Sequence, residues 1–163
     1  MIVRELSRSE FEAYRTIRLR ALQGDPEAFD SSYEREVSFD EATWAGRLTS
    51  LYGRAGAVFV AEIRGRSLGM MGIGRGPTSE QAVVWGMWVD PAVRRQGVGM
   101  QLLTAGRQWA RHQGLRSICL EVFPESAPAV AFYRSAGFSQ EAVGSSCEKG
   151  RQSLTMTLSI GED

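Results

Sequence analysis

The chain has 163 residues, of which 43% are apolar and 23% charged, an ordinary composition for a globular protein with a sizeable core. Lysine plus arginine number 19, as do aspartate plus glutamate, so the balance of charge favours neither nucleic acid nor an anionic membrane as a partner. No apolar stretch approaches the ~20 residues of a membrane span, and the N-terminus lacks the plan of a secretory signal. We therefore expect a single domain over residues 1–163 in the cytoplasm.

The first predicted elements are a strand over Met1 to Leu6 and a helix that Ser7 or Ser9 caps, because a glutamate follows each serine at capping-box spacing. Gly24-Asp25-Pro26 ends this helix, and a second helix is predicted around Glu41 to Leu51. The aromatic residues of this region are expected to serve packing rather than to line a substrate pocket. They are Phe29, Tyr33, Phe39 and Trp44.

Three strands are predicted next. Ala57 to Ile63 and Ser67 to Gly74 form an antiparallel hairpin through a turn at Arg64-Gly65-Arg66. The apolar run from Val83 to Val89 contains no charge, as expected of a strand covered on both faces, and Asp90-Pro91 ends it.

A helix is predicted to begin at the glycines of Arg94-Arg95-Gln96-Gly97-Val98-Gly99, because apolar residues then recur at helical spacing. The first turn of a helix carries unpaired N–H groups and the positive end of the helix dipole. Glycines let an anion approach the backbone, and the arginines add charge. This junction therefore indicates a site for a pyrophosphate.

The remaining chain alternates again between strand and helix. A strand is predicted over Arg116 to Phe123 and a helix over Ser126 to Ala136, followed by a hairpin of Gln140 to Cys147 and Arg151 to Ile160. The order β-α-α-β-β-β-α-β-α-β-β describes an α/β domain with a mixed sheet.

Metal and disulfide chemistry are not expected. Cys119 and Cys147 are too few for a disulfide framework and are predicted to be reduced. The single histidine, His112, is predicted to lie on the surface at a helix end, so no cluster of metal ligands arises.

Two segments together resemble one family. Arg94-x-x-Gly97-x-Gly99 after Trp88-Val89-Asp90-Pro91 is similar to the acetyl-CoA signature of the GCN5-related N-acetyltransferases (GNAT). The segment from Glu121 to Phe138, which ends in Tyr-x-x-x-Gly-Phe, resembles the next strand and helix of that family. The resemblance implies a mixed, mostly antiparallel sheet flanked by helices, and acetyl-CoA as co-substrate without a metal.

The resemblance also implies a set of cofactor-binding positions. The strand over Met87, Trp88 and Val89 would pair with the pantetheine arm and supply a backbone N–H to the oxyanion. The pyrophosphate would lie on Arg94, Arg95, Gln96, Gly97, Val98, Gly99 and Met100. Ser126 stands where many members have an asparagine that contacts the cofactor arm; a serine is shorter, and we expect it to cap the helix and to weaken cofactor affinity.

Two side chains are candidates for proton transfer. Tyr133 matches the family tyrosine that protonates the departing thiolate, so Tyr133 is the candidate acid. Glu121 lies twelve residues earlier, a separation similar to the Glu and Tyr pair of the ribosomal-protein N-terminal acetyltransferases, and is the candidate base. Glu80 and Glu34 compete with Glu121 for that role.

The resulting hypothesis is an acetyl-CoA-dependent N-acetyltransferase that moves the acetyl group directly to a primary amine. The sequence leaves open whether the acceptor is a small molecule or a protein, and whether other acyl groups are used. The alternative is a non-catalytic acyl-CoA-binding sensor or interaction module of the same fold. The resemblance also raises a homodimer, formed through the terminal hairpin.

Overall fold

The computed structural model describes residues 1–51, 53–146 and 150–161. The strands are β1 (Ile2–Glu5), β2 (Ser50–Leu51), β3 (Arg54–Ile63), β4 (Arg66–Arg75), β5 (Gln81–Val89), β6 (Ser117–Val122), β7 (Ser139–Ser146) and β8 (Gln152–Ser159). The α-helices are α1 (Phe11–Gly24), α2 (Tyr33–Glu36), α3 (Glu41–Arg47), α4 (Val98–His112) and α5 (Ala127–Ser135). Within these ranges no helix has the length and apolar character needed to cross a bilayer.

The strands form one eight-stranded sheet. Seven of them follow the order β1-β3-β4-β5-β6-β8-β7, and the eighth, β2, pairs with β3 outside this order. Neighbouring strands run antiparallel except β5 and β6, which are parallel and joined by α4. The predicted α/β fold with a mixed, mostly antiparallel sheet and flanking helices is confirmed. The single parallel pair results from the crossover through α4, because only a long connection returns the chain in the same direction.

Helices cover the sheet on both faces. On one face, Leu102 and Leu103 of α4 pack on Ile73, Val84 and Leu120 of three neighbouring strands. On the other face, α1 and α3 cover the alternate residues of β3, β4 and β5. That second core includes Tyr14, Ile17, Trp44, Val58, Val60, Met70 and Trp88. Burial on both faces explains why β5 carries no polar side chain from Ala82 to Val89.

Several boundaries differ from the sequence prediction. The helix predicted to reach Leu51 ends at Arg47, because Ser50 and Leu51 turn back and pair with the first residues of β3. The four-residue α2 was not predicted; the Ser32 hydroxyl caps it by accepting from the Arg35 N–H. Neither of the two serines proposed as caps is the N-cap of α1, which is Glu10 and makes no side-chain capping hydrogen bond. Ser7 instead caps a 3₁₀ turn over Arg8–Glu10, where its N–H donates to Glu10 Oε2 at 2.8 Å.

The other predicted features fall as follows. α1 ends at Gly24, as predicted, and His112 is exposed at the end of α4. Cys119 is a half-buried free thiol, whereas Cys147 and the turn of the last hairpin at Glu148 and Lys149 lie outside the described residues.

Candidate active site

The parallel strands β5 and β6 touch only at one end. Gln81, Ala82 and Val83 pair with Ser117, Ile118 and Cys119. Beyond that point β5 continues along β4 as far as Val89, while β6 continues along β8 as far as Val122. The two strands therefore separate, and in the described part of the chain no strand pairs with the second half of β5 on its β6 side. Its backbone N–H and C=O groups face an opening.

A β-bulge lies in this unpaired part of β5. Trp85 pairs with Gly72 and Trp88 pairs with Met70, so β5 has one more residue than β4 between these pairs. Gly86 has a φ of 60°, which glycine adopts without strain. The bulge turns Trp85 and Trp88 toward the face covered by α1, and Met87 and Val89 pack toward α4.

The loop from Arg94 to Gly97 enters α4 beside this opening. Arg95 and Gly97 have φ values of 62° and 82°, and Gly97 precedes the first helical residue, Val98. A left-handed residue followed by a helical one turns successive backbone N–H groups toward a common point, which is an anion-binding arrangement. The first-turn N–H groups of α4 lack intrahelical acceptors, so they point the same way. This backbone fits a pyrophosphate.

Gly97 and Gly99 are each required to be glycine for a different physical reason. Gly97 is needed for its positive φ, because a Cβ there would meet nothing within 4 Å. A Cβ on Gly99 would lie 2.9 Å from Cζ of Phe132 in α5, which is closer than real Cβ atoms approach. Gly99 therefore allows α4 and α5 to pack together, whereas the sequence interpretation had attributed both glycines to the approach of a phosphate.

Arg94 is engaged with the protein itself. Its Nε donates to the Val89 carbonyl at 2.8 Å, and its Nη2 donates to Asp25 Oδ2 at 2.7 Å. The same carboxylate oxygen accepts from Trp88 Nε1 at 2.7 Å. Asp25 thus ties the end of α1 to the end of β5.

The other predicted cofactor positions divide between surface and core. The side chains of Arg95 and Gln96 are exposed, as is that of Met100. The Val98 side chain is buried in the core beneath α4, so only its backbone faces the loop.

Tyr133 lies on the α4 side of the sheet. Its side chain is 7% exposed and packs between Phe132 and Phe138, with ring centroids 5.2 and 5.7 Å away. Burial raises the pKa of the Tyr133 hydroxyl well above its usual value, so the group is protonated at neutral pH. It can therefore donate a proton or a hydrogen bond.

Ser126 is the N-cap residue of α5. Its carbonyl accepts from the Val130 N–H at 3.0 Å, but its hydroxyl makes no capping hydrogen bond. The expected side-chain cap was therefore wrong.

Glu121 lies on the opposite face of the sheet from Tyr133. It pairs with Thr155 and is exposed, while Leu120 and Val122 on either side of it are buried toward α4, as the alternation predicted. Its position is past the last residue of β6 that pairs with β5. The two candidate proton-transfer groups thus lie on opposite faces of the sheet.

The competing carboxylates are placed differently. Glu80 precedes β5 at the closed end of the strand pair, where its carbonyl accepts from the Arg116 N–H at 2.8 Å and its carboxylate lies 3.8 Å from Arg116 Nε. It therefore lies away from the part of β5 that has no described partner on its β6 side. Glu34 is exposed on α2, on the α1 side.

A buried charged cluster escaped the sequence prediction. Glu36 is 1% exposed and accepts from both Arg18 and Arg47. Burial by itself would raise the pKa of Glu36, but hydrogen bonds and charge from Arg18, and then from Arg47, lower it to about 2. The available signal was Arg18 itself, since it follows Tyr14 by four residues on the apolar face of α1.

Arg151, just before β8, also escaped prediction. Its guanidinium lies 3.8 Å from the centroid of the Phe123 ring, and its Nη1 donates to the Glu27 carbonyl at 2.8 Å. It thereby links the segments that follow α1 and β6 across the α1 side. Nothing in the sequence distinguished this arginine from other surface arginines.

Comparisons with known proteins agree with this architecture. The family model described as the acetyltransferase (GNAT) family matches residues 11–138. An uncharacterized N-acetyltransferase of Methanocaldococcus jannaschii is 25% identical over 146 residues, which cover 86% of this chain and 62% of that protein. An aminoglycoside N(6')-acetyltransferase type 1 of Klebsiella aerogenes is 29% identical over 102 residues, which cover 58% of this chain and 67% of that protein.

A solved structure extends the likeness over the whole chain. The yncA protein of Salmonella typhimurium, solved with its cofactor acetyl-CoA, aligns with a TM-score of 0.74 over 100% of this chain and 95% of that one. At 20% identity this likeness concerns the fold. The chain spans less than two thirds of the M. jannaschii relative, namely 62% of its length. Because the family model covers most of the sequence, from α1 to the end of the second motif, the chain belongs to the acetyltransferase (GNAT) family.

Proposed function

We propose that the protein is an acetyl-CoA-dependent N-acetyltransferase that passes an acetyl group directly to a primary amine. The observation that carries the proposal is the separation of β5 from β6, with the Gly86 bulge and the start of α4 beside the opening. Family membership supports the same reaction, and so does the acetyl-CoA bound to the Salmonella neighbour.

The backbone is proposed to hold the co-substrate. Its pyrophosphate would lie on the N–H groups at Gly97 and the first turn of α4, where charge and geometry favour an anion. Its pantetheine arm would pair with the free edge of β5 over Met87 to Val89. Arg94 would act mainly by fixing the loop, since its side chain is bound to Asp25 and Val89. When bound, acetyl-CoA supplies an acetyl group activated as a thioester.

The acceptor amine presents one proton problem. An alkylammonium with a pKa of about 10.4 is deprotonated in only about one molecule in a thousand at a pH of about 7.4, a cost of about 4 kcal/mol. Glu121 is the proposed acceptor of that proton, directly or through water, because its carboxyl group is exposed on β6 beyond the residues that pair with β5. Glu34 remains the alternative base on the same side.

The departing thiolate needs a proton in return. A thiol has a pKa of about 8.5, so modest help suffices. Tyr133, on the α4 side of the sheet, is the proposed donor, because burial raises the pKa of its hydroxyl and keeps it protonated. The reaction needs no acyl-enzyme, and no serine or cysteine nucleophile is assigned.

The test measures release of free CoA thiol from acetyl-CoA against amines, amino acids, aminoglycosides and peptides with free N-termini. Tyr133→Phe is expected to lower turnover at least tenfold while acetyl-CoA still binds, as measured by calorimetry. Tyr33→Phe, which removes a hydroxyl on α2, serves as the control and should retain activity. Unchanged turnover in Tyr133→Phe would exclude Tyr133 as the acid.

A second pair of variants tests the base. Glu121→Gln is expected to lose activity most strongly at low pH, where the amine is most fully protonated, whereas Glu80→Gln should behave like the wild type. If acetyl-CoA binds tightly but no acceptor releases thiol, the acyl-CoA sensor becomes the better proposal.

Location in the cytoplasm and a homodimer through β7 and β8 stay predictions. Sedimentation at several protein concentrations tests the homodimer.

A further inference from the structure

The buried cluster on the α1 side carries an excess positive charge. Arg18 donates through Nε and Nη2 to the two oxygens of Glu36, both at 2.9 Å. Arg47 donates to the same two oxygens at 3.1 and 3.3 Å. One carboxylate therefore serves two guanidinium groups. The three side chains together retain one net positive charge, and those of Arg18 and Glu36 are only 6% and 1% exposed.

The cluster also holds donors that lack an acceptor. Arg18 Nη1, the Tyr14 hydroxyl and Trp85 Nε1 are buried, and none has a hydrogen-bond partner among the described residues. The rings of Tyr14 and Trp85 lie 6.3 Å apart, and the Arg47 guanidinium lies within 5.9 Å of both ring centroids. Buried donors without partners cost stability, so these three neighbouring donors are expected to bind a group with acceptor oxygens.

Arg18 Nη1 points at the β-bulge. Apart from the residues on either side of Gly86, a Cβ built on this glycine would meet only this nitrogen among the described atoms within 4 Å, at 3.2 Å. The bulge therefore has directly beside it a buried donor without a hydrogen-bond partner in the described part of the chain. This donor lies on the face of the sheet that also carries Glu121, where the proposed function has the acceptor amine bind.

We propose that Arg18 binds a carboxylate of the acceptor, with Tyr14 and Trp85 as further donors and Arg47 as a second positive charge. The substrates are then amines that carry a carboxylate a few bonds from the amine. This inference rests on the proposed function. A carboxylate supplies two acceptor oxygens and the negative charge that the cluster lacks. A polycationic acceptor such as an aminoglycoside would meet like charge at the same place.

The experiment compares free amino acids with their α-amides as acceptors in the thiol-release assay. Wild-type enzyme is expected to prefer the free acid by at least tenfold in kcat/KM, as for a charge-assisted hydrogen bond. Arg18→Lys keeps the charge opposite Glu36 but removes the guanidinium fork, and it should abolish the preference. Arg20→Lys is the matched control, because Arg20 lies on the same helix but donates to the Ser67 carbonyl. C-terminally amidated dipeptides that begin with Asp or Asn show whether a side-chain carboxylate serves instead.

Equal use of acids and amides, or a preference that survives in Arg18→Lys, would overturn the inference and leave the acetyltransferase proposal intact. If no acceptor releases thiol, the proposed function fails, and the cluster is tested by binding alone. Propionate, but not propionamide, should then shift the indole N–H resonance of Trp85 in the wild type and not in folded Arg18→Lys. Absence of that shift would overturn the carboxylate site.

Discussion

Gly99→Ala tests whether the glycine in the first turn of α4 serves packing or cofactor approach. The added methyl group would lie 2.9 Å from Cζ of Phe132 and 3.4 and 3.5 Å from the two Cε atoms of that ring. Phe132 is half-buried and its ring contacts that of Tyr133 at 5.2 Å. The methyl group must therefore push Phe132 outward, and the displacement passes to the proposed acid.

Overpacking of this kind costs about 1–3 kcal/mol, and the better helix propensity of alanine returns at most about 1 kcal/mol. We expect a net loss of about 1 kcal/mol in the free energy of unfolding. Because Phe132→Leu makes room, the double variant should be more stable than the sum of the two single changes by about 1 kcal/mol.

The assay is urea unfolding of the four proteins in this cycle, with calorimetric binding of acetyl-CoA measured beside it. Gly97→Ala is the control. Its methyl group meets nothing, and its cost arises from the positive φ, about 1–2 kcal/mol, without coupling to Phe132. Additive stabilities within about 0.5 kcal/mol, together with a large loss of acetyl-CoA affinity in Gly99→Ala alone, would refute the packing explanation.

Three further predictions concern charge and polarity. Because the pKa of Glu36 is lowered from 4.5 to about 2, its ionised form stabilises the fold by about 3 kcal/mol at any pH above about 4.5. This contribution is lost as the pH falls toward about 2. The difference in unfolding free energy between wild type and Glu36→Gln, measured in urea, should therefore shrink over that pH range. Burial, and then the charges of Glu121 and Glu141, raise the pKa of Cys119 to about 11. In a Cys147→Ser variant, alkylation of Cys119 at pH ~8 should therefore be about 100-fold slower than that of the amino acid cysteine. Equal alkylation rates would contradict this prediction. Asp25→Ala should destabilise the fold by about 1–3 kcal/mol, because the buried Trp88 N–H loses its acceptor. Asp25→Asn, which keeps an acceptor oxygen, should cost less, and equal losses in thermal or urea unfolding would count against that hydrogen bond.

The sequence predicted what depends on local patterns. The apolar run of β5, the glycines before α4 and the alternation in β6 are each set by neighbours a few residues apart, and these elements were predicted close to their observed bounds. The two-residue β2 was missed, because its pairing with β3 outweighs the helical pattern that precedes it.

The sequence did not reveal which side chains meet across the sheet. Arg18, Glu36 and Arg47 belong to three different helices, so only the packing of these helices brings Glu36 to both arginines. Arg94 looked like a free phosphate ligand, but Asp25, remote in sequence, accepts its hydrogen bond. Gly99 was attributed to the approach of a phosphate, and its packing against Phe132 was not predicted because Phe132 lies on another helix.

The proposed division of proton transfer follows from the topology of the sheet. Successive residues of a strand point to opposite faces, so Glu121 faces the α1 side because Leu120 and Val122 are buried against α4. The chain then crosses back through α5 on the α4 side, which carries Tyr133 to the other face. A continuous sheet would separate the two groups completely. They could act on one pair of reactants only where β5 and β6 part, which happens beyond Cys119 while β6 stays paired with β8 along its whole length. The parting of β5 and β6 therefore provides the place where the proposed acid and base would act together.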